Sequence, residues 1–338
     1  MYFKENVSIV YHELLKEVGE LEIPNEEFVD CRNCSLCSHQ SLIRFNTKCC
    51  DYQPSLTNFI TGSILSDFSG DLATGSQLVL DRIHKKLGVT PFGILPSSNY
   101  NKAFQLSRDE EALVTQEQTT ALKCSFLKNG NCTVYKYRSD ICGLHQCSSV
   151  SLDHGLAFWE KAKRLNLYLD KHLSLLVAKK MGIPDPINIP KELKSLSSLI
   201  ETESGKIDEN KYKKVWGDWN NKEVAFYKEC SSIFQSLGVK ELKVELGQNF
   251  EKLQTSLAAS AVPFNSHISP DFLIFNEEKW KKSSNYKLLT PIMLMHLRLF
   301  NGKSKTVDVV KKAAFMQLGL NKIMTELMAE DCLSQKIN

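Results

Sequence analysis

The sequence predicts a mainly α-helical protein with a loop-rich, cysteine-ligated metal-binding segment and a helical C-terminal part. Three observations predict it. Nine of the eleven cysteines fall before residue 150. The same stretch is interrupted by turn-forming runs such as PSLTNF, TGSILSDFSGD, PSSNYN and KNGN. Beyond residue 150, apolar residues recur at helical spacing over long stretches. The chain therefore divides into a cysteine-rich metal- or iron–sulfur-binding domain over 1–150 and a helical domain over 151–338.

Taken in order, Val7, Val10, Leu14 and Val18 stand three or four residues apart and predict an opening helix. A second helix is expected from about Ser76 to Leu87, with Leu80, Ile83 and Leu87 inward and Gly88 as its C-terminal cap. The stretch Ala112 to Leu127 reads as a short strand leading into Cys124. Asn129-Gly130 signals a tight turn because both residues tolerate positive φ. Cys124 and Cys132 are thus expected on the two arms of a hairpin, facing one site. Asp153 is the expected N-cap of a helix from His154 to Met181, with Leu156, Trp159, Ala162, Leu169, Leu173 and Leu176 on one face. Gly182 and Pro184 stop it. Further helices are expected near 209–237, 240–258, 290–300 and 306–333, with SAVPFNSHISPDF as a loop between them.

With 338 residues, 42% of them hydrophobic, the chain is long enough to bury a core without disulfides. Its 42 basic and 39 acidic residues are too evenly balanced to make nucleic acid or an anionic membrane the expected partner. A protein or a small molecule takes that place. Lys4, Glu5, Glu13, Lys16 and Glu17 interrupt the apolar residues of the N-terminus, unlike a signal peptide. No uncharged apolar run of about 18 residues occurs. The expected location is the cytoplasm, where clustered thiols are more often metal ligands than disulfide halves.

Cys31, Cys34 and Cys37 are each separated by two residues. Three thiols so spaced meet only if the backbone loops around one point, as a metal ion or an iron–sulfur cluster demands. The spacing matches the first three cysteines of a bacterial ferredoxin run but lacks the Cys-Pro, so a fourth ligand is expected from Cys49 or Cys50. Adjacent cysteines diverge from an extended backbone, so these two serve different metals or leave one thiol in the core. A second site draws on Cys124, Cys132, Cys142 and Cys147, with His145 as a ligand, a hydrogen-bonding neighbour or a surface residue. Four thiolates satisfy either zinc or a [4Fe–4S] cluster, and the closely spaced triplet favours the cluster.

Arg138 and Tyr135 are the candidate cofactor-binding residues, able to hydrogen-bond an anionic thiolate-bound cluster. The alternative places Arg138 in a surface ion pair and Tyr135 in the core. Cys230 and Cys332, each alone in a helical pattern, read as small buried apolar residues. His12 and His84 read as ordinary helical residues, and Trp216, Trp219, Phe226 and Tyr227 as core aromatics. Thr306 to Met324 faintly suggests a helix-turn-helix but has no basic excess. No phosphate loop, nucleophile elbow, HExxH or paired-carboxylate motif is present.

The order Cys124-x-Phe126-Leu127, a short turn, Cys132-x-x-Tyr135-x-x-Arg138 and then Cys142 resembles the C-terminal motif of the YkgJ-type zinc- or iron-chelating cysteine-cluster family. That family also opens with a CxxCxxCC group, to which Cys31, Cys34, Cys37, Cys49 and Cys50 are similar in a more spread form. Leu78 to Leu95, LVLDRIHKKLGVTPFGIL, looks like the family's intervening helix and following turn. The likeness spans roughly residues 31–147, and Ser139 stands where the family usually has proline. The resemblance implies an iron site, foremost an iron–sulfur cluster, with zinc as the competitor. It also implies a distant similarity to flagellin lysine N-methylases, although no methyl-donor fingerprint is found.

The leading functional expectation is a [4Fe–4S] protein acting in electron transfer or a redox-dependent modification reaction. The alternatives are a zinc-stabilised, non-catalytic interaction module and a lysine-methylase-like transferase.

Overall fold

The computed structural model describes residues 1–26, 52–106, 122–129, 131–146, 149–184, 193–266, 272–282, 289–306, 308–310 and 320–335. It is mainly helical, as expected.

The chain opens with two 3-10 turns, Phe3–Asn6 and Ile9–Tyr11, before the single-turn helix α1 (Lys16–Gly19). Val7, Leu14 and Val18 are buried as their spacing requires, yet the expected continuous helix is broken. The cause is tertiary. Phe3 N–H donates to Leu21 O and Ile23 N–H to Met1 O, each at 3.0 Å, and this pairing leaves Val7 extended.

β1 (Leu56–Thr57) leads into α2 (Asn58–Ser66), capped by Thr57 Oγ1, which accepts from Ile60 N–H. Residues 58–65 are all buried. The Asn58 side chain is satisfied there by donating to Pro91 O at 3.0 Å and Ser174 O at 2.9 Å. α3 (Leu72–His84) begins earlier and ends earlier than expected. Leu87 therefore leaves the helical register and is 46% exposed instead of inward, whereas Ile83 is buried. Gly88 takes φ 66° beyond the helix end. β2 (Val89–Thr90) and β3 (Gly93–Ile94) complete an antiparallel sheet in the order β1-β3-β2, with Ile94 opposite both Leu56 and Val89. α4 spans Ser98–Leu106. Most of the expected strand over 112–127 lies outside the described residues.

β4 (Leu127–Lys128) and β5 (Asn131–Cys132) form the expected hairpin, followed by α5 (Asp140–Leu144). The long α6 (Leu152–Lys180) has Ser151 rather than Asp153 at its N-cap position, without a side-chain cap bond, and Ser151 Oγ donates to Phe264 O at 2.6 Å. Trp159, Ala162, Leu169 and Leu173 face the core, while Leu156 and Leu176 are half-buried. Gly182, at φ 79°, ends the helix.

α7 (Glu209–Trp216) and α8 (Glu223–Ser236) follow. α2 and α8 approach so closely at Gly62 that a Cβ there would lie 1.8 Å from Tyr227 O. Trp216, Phe226 and Tyr227 are fully buried core residues, and Trp219 is half-buried. α9 (Val239–Ser266) is interrupted at Gly247, with φ 64°. It runs through Pro263, so the first half of the expected SAVPFNSHISPDF loop is helical. Phe264 explains the extension, since its ring packs 5.0 Å from Phe158 and 6.1 Å from Trp159.

The remaining chain builds a smaller unit. β6 (Phe272–Phe275), β7 (Asn301–Lys305) and β8 (Leu333–Gln335) form an antiparallel sheet in the order β7-β6-β8. With α10 (Glu277–Lys281), α11 (Pro291–Leu297) and α12 (Leu320–Ala329) it encloses a second apolar cluster that includes Leu273, Trp280, Leu297, Phe300 and Leu327. The main cluster draws on residues from Phe3 to Phe264. Cys230 and Cys332 are both buried within apolar clusters. Among the described residues no helix is long and apolar enough to cross a membrane. About half of the 306–324 stretch, which faintly suggests a helix-turn-helix, lies outside them.

Candidate metal centre

The hairpin that carries Cys132 is fixed by its own backbone and by one glycine. Leu127 stands opposite Cys132, Asn129 takes φ 49° at the turn, and Thr133 N–H donates to Phe126 O at 2.9 Å. Cys124 precedes β4 in a turn closed by Leu127 N–H to Cys124 O at 3.1 Å. Phe126 and Val134 root the hairpin in the core. α3 abuts it at Gly75, where a Cβ would lie 2.6 Å from Thr133 O and 2.8 Å from Val134 Cγ1.

A 3-10 turn, Tyr135–Tyr137, then carries the chain toward Cys142. Asp67 secures it, accepting from Lys136 Nζ at 2.7 Å and Tyr137 OH at 2.9 Å; Lys136 first, then the hydroxyl and N–H of Ser69, hold its carboxyl well below the usual range, with Tyr137 adding to them. Arg138 is buried, and its fork holds the N-terminal turn. Nε donates to Asn6 O at 3.3 Å, Nη1 to Tyr135 O at 3.1 Å and Nη2 to Glu5 O. Its guanidinium stacks 4.0 Å from the Tyr135 ring centroid, and Tyr135 is 61% exposed. The alternative of a surface ion pair and a core tyrosine is thus replaced by a buried arginine on carbonyls under an exposed ring. Ser139, in the place of the family's proline, gives its hydroxyl to Cys142 Sγ at 3.7 Å.

Cys124 is buried, Cys132 half-buried and Cys142 exposed as a residue, and none of them is in a disulfide. The Cys142 thiol is pushed up, first because surrounding atoms desolvate its Sγ and then by the neighbouring Cys124; Cys132 and Asp140 add to the effect. Desolvation likewise raises the Cys132 thiol, against the pull of Arg138. Cys142 therefore lies within electrostatic reach of both Cys124 and Cys132. Among the described residues no group of three His, Cys, Asp or Glu is gathered tightly enough to hold a metal ion. Cys31, Cys34, Cys37, Cys49, Cys50 and Cys147 lie outside the described residues. His145 is exposed just past α5.

Two clasps flank these cysteines. Glu26, five residues before Cys31, is buried against the chain just past Cys147. It accepts from Ser149 Oγ at 2.7 Å, Val150 N–H at 2.8 Å and Trp159 Nε1 at 2.6 Å. Burial raises its carboxyl, and the three donors oppose that rise. On the other side, Tyr100 OH accepts from Gln53 N–H at 2.9 Å and donates to Leu122 O at 3.4 Å, joining the chain just past Cys50 to the chain just before Cys124.

Sequence reasoning missed Arg82. It lies on the buried side of α3, and Nη2 donates to Leu87 O at 3.2 Å and Leu95 O at 2.8 Å. Its position one residue before Ile83 and three after Val79, both buried, was the available signal. Asp170, buried on α6, accepts from Tyr11 OH and from Asn166 Nδ2 at 3.0 Å. Burial, and then the charge of Asp140, raises its carboxyl well above the ordinary value.

No family model, curated protein or solved structure matches the chain.

Proposed function

We propose that this chain is a cysteine-cluster metalloprotein of the YkgJ-like kind, binding an iron–sulfur cluster, foremost [4Fe–4S], in service of electron transfer or a redox-dependent modification reaction. The paired clasps carry the reading. Of the residues that bracket the Cys31–Cys50 stretch, Glu26 is bonded directly to Ser149 and Val150, just past Cys147, and Gln53 is tied through Tyr100 OH to Leu122, just before Cys124. The described residues that flank the two cysteine groups are therefore tied to one another. Cys142, within electrostatic reach of Cys124 and of Cys132, supplies with them part of a soft donor set suited to iron–sulfur or zinc.

The ligands that complete the set come in this reading from Cys31, Cys34, Cys37, Cys49, Cys50 and Cys147. Arg138 places positive charge beside Cys132 and Cys142, as an anionic thiolate centre needs. Tyr135 covers that guanidinium from the solvent side. When bound, an iron–sulfur cluster supplies one-electron transfer at a potential set by burial and by hydrogen bonds to sulfur. The partner is then a protein or small molecule that exchanges electrons in the cytoplasm.

The test is iron, zinc and acid-labile sulfide per chain, with the visible spectrum, on full-length protein purified without oxygen. About four irons and four sulfides per centre with brown colour are expected. Zinc without sulfide or colour replaces this reading with a zinc-stabilised interaction module. A metal-free, fully folded chain sinks both.

A further inference from the structure

We draw no further inference here: the strongest candidate, the cleft between the end of α3 and the first turn of α8 that His84, Lys222 and Lys228 rim, is a helix N-terminus edged by exposed side chains, with Glu223 in its wall, and nothing among the described residues points to a ligand there.

Discussion

Trp159 Nε1 donates to Glu26 Oε1 at 2.6 Å, joining positions 133 residues apart in the chain. Ser149 Oγ and Val150 N–H complete the carboxylate, so Glu26→Ala leaves three buried donors without an acceptor. Each such donor costs about 1–3 kcal/mol. Urea unfolding is expected to show a loss of several kcal/mol for Glu26→Ala and a smaller one for Trp159→Phe. The double mutant measures their coupling; strictly additive losses would mean that the contact contributes nothing.

The thiols divide by role. Cys124→Ser and Cys142→Ser are expected to lower the metal content per chain. Cys230→Ser is expected to leave metal content unchanged and to lower the melting temperature, because it places a hydroxyl in the fully buried α8 core. Equal metal loss in all three variants would break the assignment.

Two glycines separate packing from site geometry. At Gly62 a Cβ would strike Tyr227 O, and at Gly75 it would strike Thr133 O beneath the hairpin. Overpacking of this kind costs about 1–3 kcal/mol or more. Gly62→Ala is expected to lower stability alone, whereas Gly75→Ala, by displacing the arm that bears Cys132, lowers both stability and metal retention. Chelator resistance measured beside the urea midpoint checks the difference.

Asp170 gives the chain a pH dependence. Its carboxyl is raised, so the folded chain keeps a proton that the unfolded chain releases near the ordinary value. The stabilisation is full below that ordinary value and is lost as pH rises through the raised one. Between the two, stability falls by about 1.4 kcal/mol per pH unit from this group. Asp170→Asn cannot ionise; Tyr11 OH keeps its acceptor, and Asn166 can turn its amide oxygen toward the new N–H. The difference in stability between wild type and variant is expected to change across that window. Parallel curves would remove Asp170 as the source.

Local chemistry made some of this visible in the sequence. Asn129-Gly130 specifies a turn that only one register can close, and the apolar repeat from Trp159 to Leu173 specifies a helix face. The opening segment kept its burial pattern at Val7, Leu14 and Val18 but lost its continuity, since the bonds of Phe3 and Ile23 join residues about twenty apart. Strands of two residues, such as β1 and β3, are too short to carry a period. Leu87 was misplaced because helix register, not helix existence, decides which face a terminal residue joins. At the site, the cysteines announce themselves by spacing, but Glu26 and Tyr100 act through partners distant in sequence and no local pattern marks them, while Arg82 is marked only by its place beside Val79 and Ile83 in the helical register.

The Glu26 clasp also orders events in time. Its acceptor is synthesised first, and its last donor, Trp159, follows 133 residues later. At about 5–20 residues per second, that interval is roughly 7–27 s. On the metal reading proposed above, metal delivered before Cys147 is made meets only part of the donor set, so loading follows the synthesis of the first half of the chain.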